Sequence, residues 1–266
     1  MKKEVLILYH CTPYVSFESF LKFIKYYKKF NANYKHTLVI CFKDIKLNEI
    51  TKYEKVLKEI PYTKFIDKHP INDYDFGSYY RFAKTRKKSI ILFLNNHSYP
   101  IKNKWLSTIM QNYKENRILA FSGSYESIRS SLPFNIRNNF FKNLYLRLLL
   151  IFFFKNFPNP HFRTSNFLCL GQDLLKYKLR KIKNKLDTHI MESGRKSLYN
   201  FFKNKNYEIL IINSDGKTFK ENDWKNSNTY AYKQQNKLLI SDKFTRKYQK
   251  SNKEVKKLMT KRVWVI

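Results

Sequence analysis

The chain contains very little glycine. Its 266 residues include 5 glycines, where average usage would give about 19. Neither the G-x-G-x-x-G pattern of dinucleotide-binding turns nor the G-x-x-x-x-G-K-[ST] pattern of phosphate-binding loops occurs. The sequence therefore gives no support to a nicotinamide-dependent dehydrogenase or a P-loop enzyme. In so glycine-poor a chain, we expect the remaining glycines where the backbone needs a positive φ or a close approach.

Cysteines and long apolar runs are scarce as well. Cys11, Cys41 and Cys169 form no C-x-x-C pair and no cysteine–histidine cluster with zinc spacing. Three widely spaced cysteines fit a reducing cytoplasm. No apolar run reaches the ~18 residues that a membrane span needs, and the first run, at 5–8, is too short for the core of a signal peptide. We therefore expect a cytoplasmic protein.

Acidic residues are few, with 20 Asp and Glu against 53 Lys and Arg, which gives a formal net charge of +33. This excess favours polyanionic partners, namely phosphorylated substrates, an anionic membrane or nucleic acid. Biased base composition is an alternative explanation, because Lys, Asn, Ile, Phe and Tyr all have A/T-rich codons. Hydrophobic residues make up 43% of the chain, so it can bury a core and is not a disordered basic tail.

Strand-like and helical segments alternate along the chain. This pattern predicts an α/β fold with a Rossmann-like, mostly parallel sheet flanked by helices. Ligands bind such sheets outside the carboxyl ends of the strands. Strands are predicted at 5–9, 37–42, 63–66, 89–94, 118–122, 164–170, 207–212 and 238–240, and helices at 17–30, 48–58, 75–84, 104–116, 139–154 and 186–202.

Three segments in the first half resemble the donor half of GT-A glycosyltransferases of the family-two type. A glycine-containing helix start (75–81) is followed by a strand ending in Asn95-Asn96-His97-Ser98 (90–100) and then by Trp105-Leu106. In that family the strand ends in D-x-D. The segment 192–198, followed by 206–210, is similar to the acceptor half, where a helix carries the catalytic base. Segments 121–127 and 161–167 resemble a bacterial surface-glycan subgroup.

The resemblance covers about residues 3–212. It implies an inverting transfer of a sugar from a nucleotide-sugar donor to a glycan or lipid-linked acceptor, in bacterial surface polysaccharide synthesis. It divides the predicted domain, 1–225, into a nucleotide-sugar half (1–127) and an acceptor half (128–225). We expect the basic C-terminal segment, 226–266, to pack on the same domain.

The resemblance assigns Glu192 to the catalytic base. A carboxylate can take the proton of the acceptor hydroxyl when burial makes it a stronger base. The alternative is a glutamate at a helix N-terminus that complements the helix dipole. The predicted donor-binding residues are Asp44, Asp75, Gly77, Arg81, Asn95 and His97. The predicted acceptor or phosphate contacts are Glu126, His161, Arg163, Asn166 and Arg195.

Several of these residues also have plain structural interpretations. Asp44 fits a surface turn, Asp75 a helix N-cap and His97 a structural hydrogen bond. Arg163 fits a solvated loop, and Arg195 fits a local ion pair with Glu192.

Metal binding is a weaker expectation. The positions of the D-x-D carboxylates are filled by Asn95 and His97, whereas Mg²⁺ and Mn²⁺ prefer carboxylate oxygens. We therefore keep a divalent cation only as a weak prediction, with Asn95 and His97 as its ligands. Lysine and arginine side chains, with Arg81 and Lys102 as candidates, are an alternative means of neutralising the donor diphosphate.

The apolar run at 144–154 has two interpretations. It fits a core helix, but Lys142, Arg147 and Lys155 flank it, as in an interfacial helix that docks on an anionic leaflet. The second interpretation predicts a membrane surface at 142–155 and a peripheral position on the inner face. Two further functions remain open: a nucleic-acid-binding protein, although no known nucleic-acid-binding motif occurs, and a non-catalytic homologue. We expect no specific nucleic acid partner.

Overall fold

A computed structural model describes residues 3–69, 73–131 and 140–265, with the backbone alone for 131 and 140–146. The strands are β1 (Val5–Cys11), β2 (Thr37–Lys43), β3 (Tyr62–Asp67), β4 (Ile90–Leu94), β5 (Tyr99–Pro100), β6 (Arg117–Ala120), β7 (Gly123–Ser124), β8 (His161–Phe162), β9 (Asn166–Leu170), β10 (Glu208–Ile212), β11 (Thr218–Phe219) and β12 (Ile240–Ser241). The helices are α1 (Phe17–Lys29), α2 (Leu47–Leu57), α3 (Tyr74–Thr85), α4 (Trp105–Gln111), α5 (Ile128–Ser131), α6 (Phe140–Phe153), α7 (Gly171–Lys176), α8 (Lys185–Ser193), α9 (Leu198–Asn204), α10 (Lys243–Lys250) and α11 (Lys253–Trp264), and a 3-10 helix spans Glu221–Ser227.

Eight of the strands form one mixed sheet, in the order β11-β10-β6-β9-β4-β1-β2-β3. The pairs β1–β2, β2–β3, β1–β4 and β6–β10 are parallel, whereas β9 is antiparallel to both β4 and β6. This confirms the predicted α/β class with a mostly parallel sheet. The chain builds strands outward from β1 to β3 and then returns to the other side of β1 with β4. Ligands bind at such a reversal, outside the carboxyl ends of the strands.

The two faces of the sheet carry separate hydrophobic cores. Successive side chains of β1 alternate between them, so that Ile7 packs on the face of α1 and Leu8 on the face of α3. Helices cover both faces, and strands buried on both sides read as continuous apolar runs. This is why β1, β2 and β4 were recognisable in the sequence.

The predicted helix 186–202 is wrong as a single element. The chain forms α8, then turns at Gly194, and starts again as α9 with Ser197 as its N-cap, whose side chain accepts from the N–H of Asn200. The predicted helix 104–116 is shorter too, since α4 ends at Gln111 and the N–H of Asn112 bonds the carbonyl of Ile109.

The C-terminal segment packs against the rest of the molecule. β12 pairs with β5, and α11 places Trp264 in the core, where its Nε1–H donates to the carbonyl of Tyr230 at 3.0 Å. The boundary predicted at 225/226 stays a prediction. No helix in the described ranges is long and apolar enough to cross a membrane.

Candidate functional site

The loop after β4 and the start of β9 meet at one edge of the sheet. The N–H of Asn95 donates to the carbonyl of Ser165 at 3.0 Å, and Nδ2 of Asn166 donates to Oγ of Ser98 at 3.2 Å. They meet because β9 is antiparallel to β4, so its first residues lie beside the last residues of β4. The predicted donor loop and a predicted acceptor segment are therefore neighbours in space.

Glu192 reaches this edge from α8. Its Oε1 accepts from the N–H of Thr164 at 3.0 Å and from Oγ1 of Thr164 at 3.1 Å, and the side chain is half-buried. Glu192 lies in the last turn of α8, so its interpretation as an N-terminal glutamate is wrong. A negative charge is unfavourable at a helix C-terminus. Its position is therefore not explained by helix stability, and a catalytic role stays a prediction.

Asp75 lies in the first turn of α3, where the negative charge of Glu192 acts on its carboxyl. The pKa of Asp75 is raised from 3.8 to about 6. Burial raises it most and the negative charges of Glu192 and Asp73 also raise it, whereas the N–H groups of Asp75 and Phe76 lower it. The N-cap of α3 is Asp73, so the N-cap interpretation of Asp75 is wrong. A buried carboxyl with a raised pKa beside a second acidic residue is a candidate for a functional site.

We predict that Asp75→Asn stabilises the protein at pH 8 but not at pH 4. Because the pKa of Asp75 is raised from 3.8 to about 6, the folded state holds this proton more tightly than the unfolded state does, and stability falls as pH rises through that range. The amide removes this penalty, worth on the order of 1 kcal/mol once partial exposure is allowed for. Urea denaturation at pH 4 and pH 8 measures the change in the free energy of unfolding. An equal change at the two pH values would contradict the prediction.

Arg81 binds two carboxylates of its own chain. Its Nε and Nη2 donate to Asp67 at 2.7 and 2.6 Å, and its Nη1 and Nη2 donate to Asp73 at 2.5 and 2.9 Å. Both carboxylates are buried. These contacts give Arg81 a structural role, holding the end of β3 against α3, and leave its predicted contact with a donor untested.

Gly77 makes room for this ion-pair network. A Cβ on Gly77 would lie 1.9 Å from Cγ of Asp73, so the close approach predicted for this glycine is made to a carboxyl of the same chain. Lys43 adds a buried cation, with Nζ 3.9 Å from Oδ1 of Asp73. Next to it, His10 hydrogen-bonds Oγ of Ser78 at 3.2 Å, and burial lowers its pKa to about 4. Hydrogen bonds and ion pairs thus link the ends of β1, β2 and β3 to α3.

The side chains of Asn95 and His97, as they lie in this structure, do not suit a metal ion. Oδ1 of Asn95 accepts from the N–H of His97 at 3.0 Å and from Oγ of Ser98 at 2.8 Å, so both of its lone pairs are used. Burial lowers the pKa of His97, and the positive charges of Lys243 and Arg246 lower it further, against Asp242. Nearby cations oppose cation binding. The predicted ligand pair therefore does not fit Mg²⁺ or Mn²⁺.

Elsewhere in the described ranges, no group of three or more His, Cys, Asp or Glu side chains could hold a metal ion.

Arg163 is buried and paired. Its Nη1 lies 2.9 Å from Oδ2 of Asp242, and its guanidinium stacks 4.2 Å from the ring centroid of Tyr230. The solvated-loop interpretation is wrong for Arg163, because the side chain is buried and paired. Its predicted phosphate contact stays a prediction. Asn166 is also buried, beside Ser98 and Ser165, and its Oδ1 has no partner among the described residues.

Glu126 and His161 lie near Glu192 with partners of their own. Oε1 of Glu126 accepts from Nε of Arg262 in α11 at 2.5 Å. Nδ1 of His161 donates to the carbonyl of Asn159 at 2.9 Å, which leaves Nε2 as the acceptor of the neutral ring. The predicted acceptor contacts of both residues stay predictions.

Arg195 and Asp44 are exposed. Nη2 of Arg195 lies 3.5 Å from the carbonyl of Ile151 near the end of α6; an ion pair with Glu192 does not occur among the described contacts. Asp44 follows β2 in the left-handed region, with φ of 57° and its Oδ1 3.5 Å from Nζ of Lys43. Their predicted roles in binding stay untested.

Sequence reasoning missed the partners that organise the site. Asp242 holds the buried Arg163, and Asp73 lies beside the buried Lys43. Asp67 and Asp73 both hold the half-buried Arg81, and Thr164 holds Glu192. The low acidic content was the available signal. In a chain with 20 acidic residues against 53 basic ones, an aspartate is surrounded by candidate cations.

The solved structures similar to this chain include glycosyltransferases and a cytidylyl-type synthase. The apo form of the glycosyltransferase GlyE of Streptococcus pneumoniae TIGR4 is 12% identical with a TM-score of 0.44, over 79% of this chain and 45% of that one. The galactosyltransferase LgtC, solved with donor and acceptor sugar analogs, is 9% identical (TM-score 0.43; 79% and 73%). The 4-diphosphocytidyl-2C-methyl-D-erythritol synthase of Anaerococcus prevotii DSM 20548 is 11% identical (TM-score 0.43; 79% and 86%).

This chain spans less than half the length of the pneumococcal glycosyltransferase. No protein-family model matches the chain, and no curated protein matches it significantly. At these identities and TM-scores the likeness carries no argument about activity, so function has to be argued from the chain's own residues.

Proposed function

We propose that the protein is a GT-A glycosyltransferase that moves a sugar from a nucleotide-sugar donor to the hydroxyl of a glycan or lipid-linked acceptor, in bacterial surface polysaccharide synthesis. The observation that carries this proposal is Glu192. Its carboxylate lies in the last turn of α8, where a negative charge is unfavourable, and it accepts two bonds from Thr164. Its charge acts on Asp75, and Thr164 lies beside the loop after β4, where such sheets bind ligands.

In the proposed reaction, Glu192 takes the proton of the acceptor hydroxyl. The acceptor oxygen attacks the anomeric carbon of the donor sugar, and a new glycosidic bond forms as the bond to the diphosphate breaks. The electron pair of that bond leaves with the nucleoside diphosphate, and the anomeric configuration inverts. Thr164 orients the base through Oε1, which leaves Oε2 for the incoming hydroxyl. In this proposal Asp75, whose carboxyl is within reach of the charge of Glu192, binds hydroxyls of the donor sugar.

The test is a turnover assay with a panel of nucleotide sugars. Release of nucleoside diphosphate in the presence of glycan or polyprenyl-phosphate acceptors supports the proposal, and slow hydrolysis without acceptor supports donor binding. Failure to bind or turn over any nucleotide sugar, together with salt-sensitive oligonucleotide binding at physiological ionic strength, would favour a nucleic-acid-binding function instead.

We also propose that α6 docks on an anionic membrane from the inner face of the cell. Leu148, Ile151 and Phe152 expose large apolar surfaces, with Phe152 73% exposed, beside exposed Arg147 and Lys155. Leu150 and Phe154, on the other side of this segment, are buried. Lys142 belongs to the predicted surface, but its side chain lies outside the described residues. Exposed apolar residues flanked by cations are typical of interfacial helices.

We predict that the protein floats with vesicles containing anionic phosphatidylglycerol and not with neutral ones. Phe152→Ser should weaken this binding about tenfold, because burying a phenylalanine contributes roughly 1.5–3 kcal/mol. Leu47→Ser, on α2, is the matched control, since Leu47 is 71% exposed and should leave flotation unchanged. Equal binding of both variants, or no flotation of the unchanged protein, would reject the docking surface.

A further inference from the structure

The C-terminal segment is fixed to the loop that follows β4. β12 pairs antiparallel with β5, with Ile240 opposite Pro100 and Ser241 opposite Tyr99. α10 starts directly afterwards, with Asp242 as its N-cap. The first turn of α10 is therefore held beside His97, in the part of the site where the related glycosyltransferase pattern carries its acidic residues.

Two cations of α10 lie against this loop. Nη1 of Arg246 donates to the carbonyl of His97 at 3.0 Å and to Oγ of Ser241 at 3.2 Å, and its guanidinium lies 4.7 Å from the ring centroid of Tyr99. Within the described residues, Nε and Nη2 of Arg246 have no hydrogen-bond partner. Lys243 is exposed and forms no ion pair with a described residue, yet its charge reaches His97. Both side chains thus retain donors for a ligand.

Acidic side chains near this loop do not neutralise these cations. Asp242 is the acidic residue whose charge reaches His97, but its carboxylate is already used. It accepts from Arg163 at 2.9 Å, from Oγ of Ser165 at 3.0 Å and from the N–H of Thr245 at 2.9 Å. The edge beside His97 therefore has a surplus of positive charge.

The positive edge lies beside the carboxyl ends of β1 and β4, which are neighbouring strands. A shallow cleft opens beside it between the end of β1 and the start of α1, lined by Thr12, Ser16 and Asn96 among others. The cleft lies where the sheet reverses its strand order, which is where open α/β sheets bind nucleotides. With about 10 Å³ open to water, the cleft is too small to enclose a nucleoside. A nucleotide would instead lie across the ends of the strands, with its phosphates towards the loop after β4.

We propose that Lys243 and Arg246 bind the diphosphate of the donor directly and do the electrostatic work of the metal ion that Asn95 and His97 cannot hold. This inference rests on the proposed glycosyltransferase function. As the bond to the anomeric carbon breaks, negative charge grows on the departing diphosphate oxygen. The free edge of the Arg246 guanidinium suits two phosphate oxygens, and Lys243 supplies a point charge.

Isothermal titration calorimetry with UDP, CDP, GDP and ADP tests this proposal. Each is titrated once in EDTA and once in Mn²⁺. We expect at least one to bind with the same Kd, within about threefold, in both. Lys243→Ala and Arg246→Gln should each weaken its binding about tenfold or more, since a hydrogen bond to a charged group contributes roughly 1.5–3 kcal/mol. Binding of the matching nucleoside, which has no phosphate, should not change.

Lys247→Ala and Lys250→Ala are the matched controls, because both are exposed lysines of the same helix and remove the same charge. Lys243 is a surface residue, so its variant keeps the test valid if the Arg246 variant unfolds. Binding that requires Mn²⁺, or equal weakening in the controls, overturns the diphosphate site while the proposed function stands. If none of the four nucleotides binds in EDTA or in Mn²⁺, both the diphosphate site and the proposed glycosyltransferase function are rejected. Metal-free binding without turnover of any nucleotide sugar supports the site and overturns the transferase.

Discussion

Glu192→Gln should reduce sugar transfer by about 10²–10⁴-fold, the usual contribution of a general base. The amide keeps the shape of the side chain and can still accept from Thr164, but it cannot take a proton from the acceptor. We expect the loss in kcat, with donor binding and the thermal unfolding midpoint nearly unchanged. The measurement is release of nucleoside diphosphate with and without acceptor, once a donor has been identified.

Two companion variants separate catalysis from structure. Glu254→Gln makes the same change at an exposed position and should leave the rate unchanged. Thr164→Val removes the hydroxyl that orients Glu192 but keeps the backbone N–H bond, so it should cost less than Glu192→Gln. If Glu192→Gln retains full turnover, Glu192 is not the base, and Asp75 becomes the candidate to test next.

Arg163→Ala should destabilise the protein by about 3–5 kcal/mol, because it leaves a buried carboxylate without its cation. The side chains of Arg163 and Asp242 are 9% and 2% exposed, so water cannot replace the lost partner. The substitution also removes the stacking of the guanidinium on Tyr230. Urea denaturation measures the change. Arg180→Ala, at an exposed arginine, should stay within about 0.5 kcal/mol of the unchanged protein.

The double variant Arg163→Met/Asp242→Asn tests the cause. Replacing both charges removes the unpaired carboxylate while the amide can still cap α10, so part of the stability should return. Burial raises the pKa of Asp242, but Arg163 and the bonds from Thr245 and Ser165 lower it, to a net value below 3.8. Asp242 therefore contributes stability in full above its unfolded pKa of 3.8, and this stability is lost as pH falls through its lower folded pKa. The cost of Arg163→Ala should shrink over the same range. A cost under about 1 kcal/mol at pH 7 would contradict the structural role.

The sheet could be predicted from the sequence because its central strands are buried on both faces. Val5–Cys11, Thr37–Lys43 and Ile90–Leu94 appear as apolar runs of strand length with polar ends. The direction of β9 could not be predicted, since a strand has the same apolar pattern in either orientation. That direction brings Thr164 next to the loop after β4. The geometry of the site therefore could not be predicted from the hydrophobic periodicity of the sequence.

The C-terminal helices were missed for a different reason. α10 and α11 are rich in lysine, and their buried faces rest on a few residues such as Tyr248 and Trp264. Their start signals were present, because Asp242 and Asn252 both accept bonds from the helix N–H groups. The partners of Arg163 and Arg81 depend on contacts between distant parts of the chain, so neither the buried pair with Asp242 nor the network with Asp67 can be read from spacing.

The pairing of β12 with β5 has a genetic consequence. A premature stop codon just before Ile240 would leave all eight strands of the main sheet in the product, and a reader of the gene could take that product for a working protein. The truncated chain would lose the strand that covers Tyr99 and Pro100, the counter-charge of Arg163 and the cations beside His97. Such an allele should therefore behave as a null and not as a mild variant.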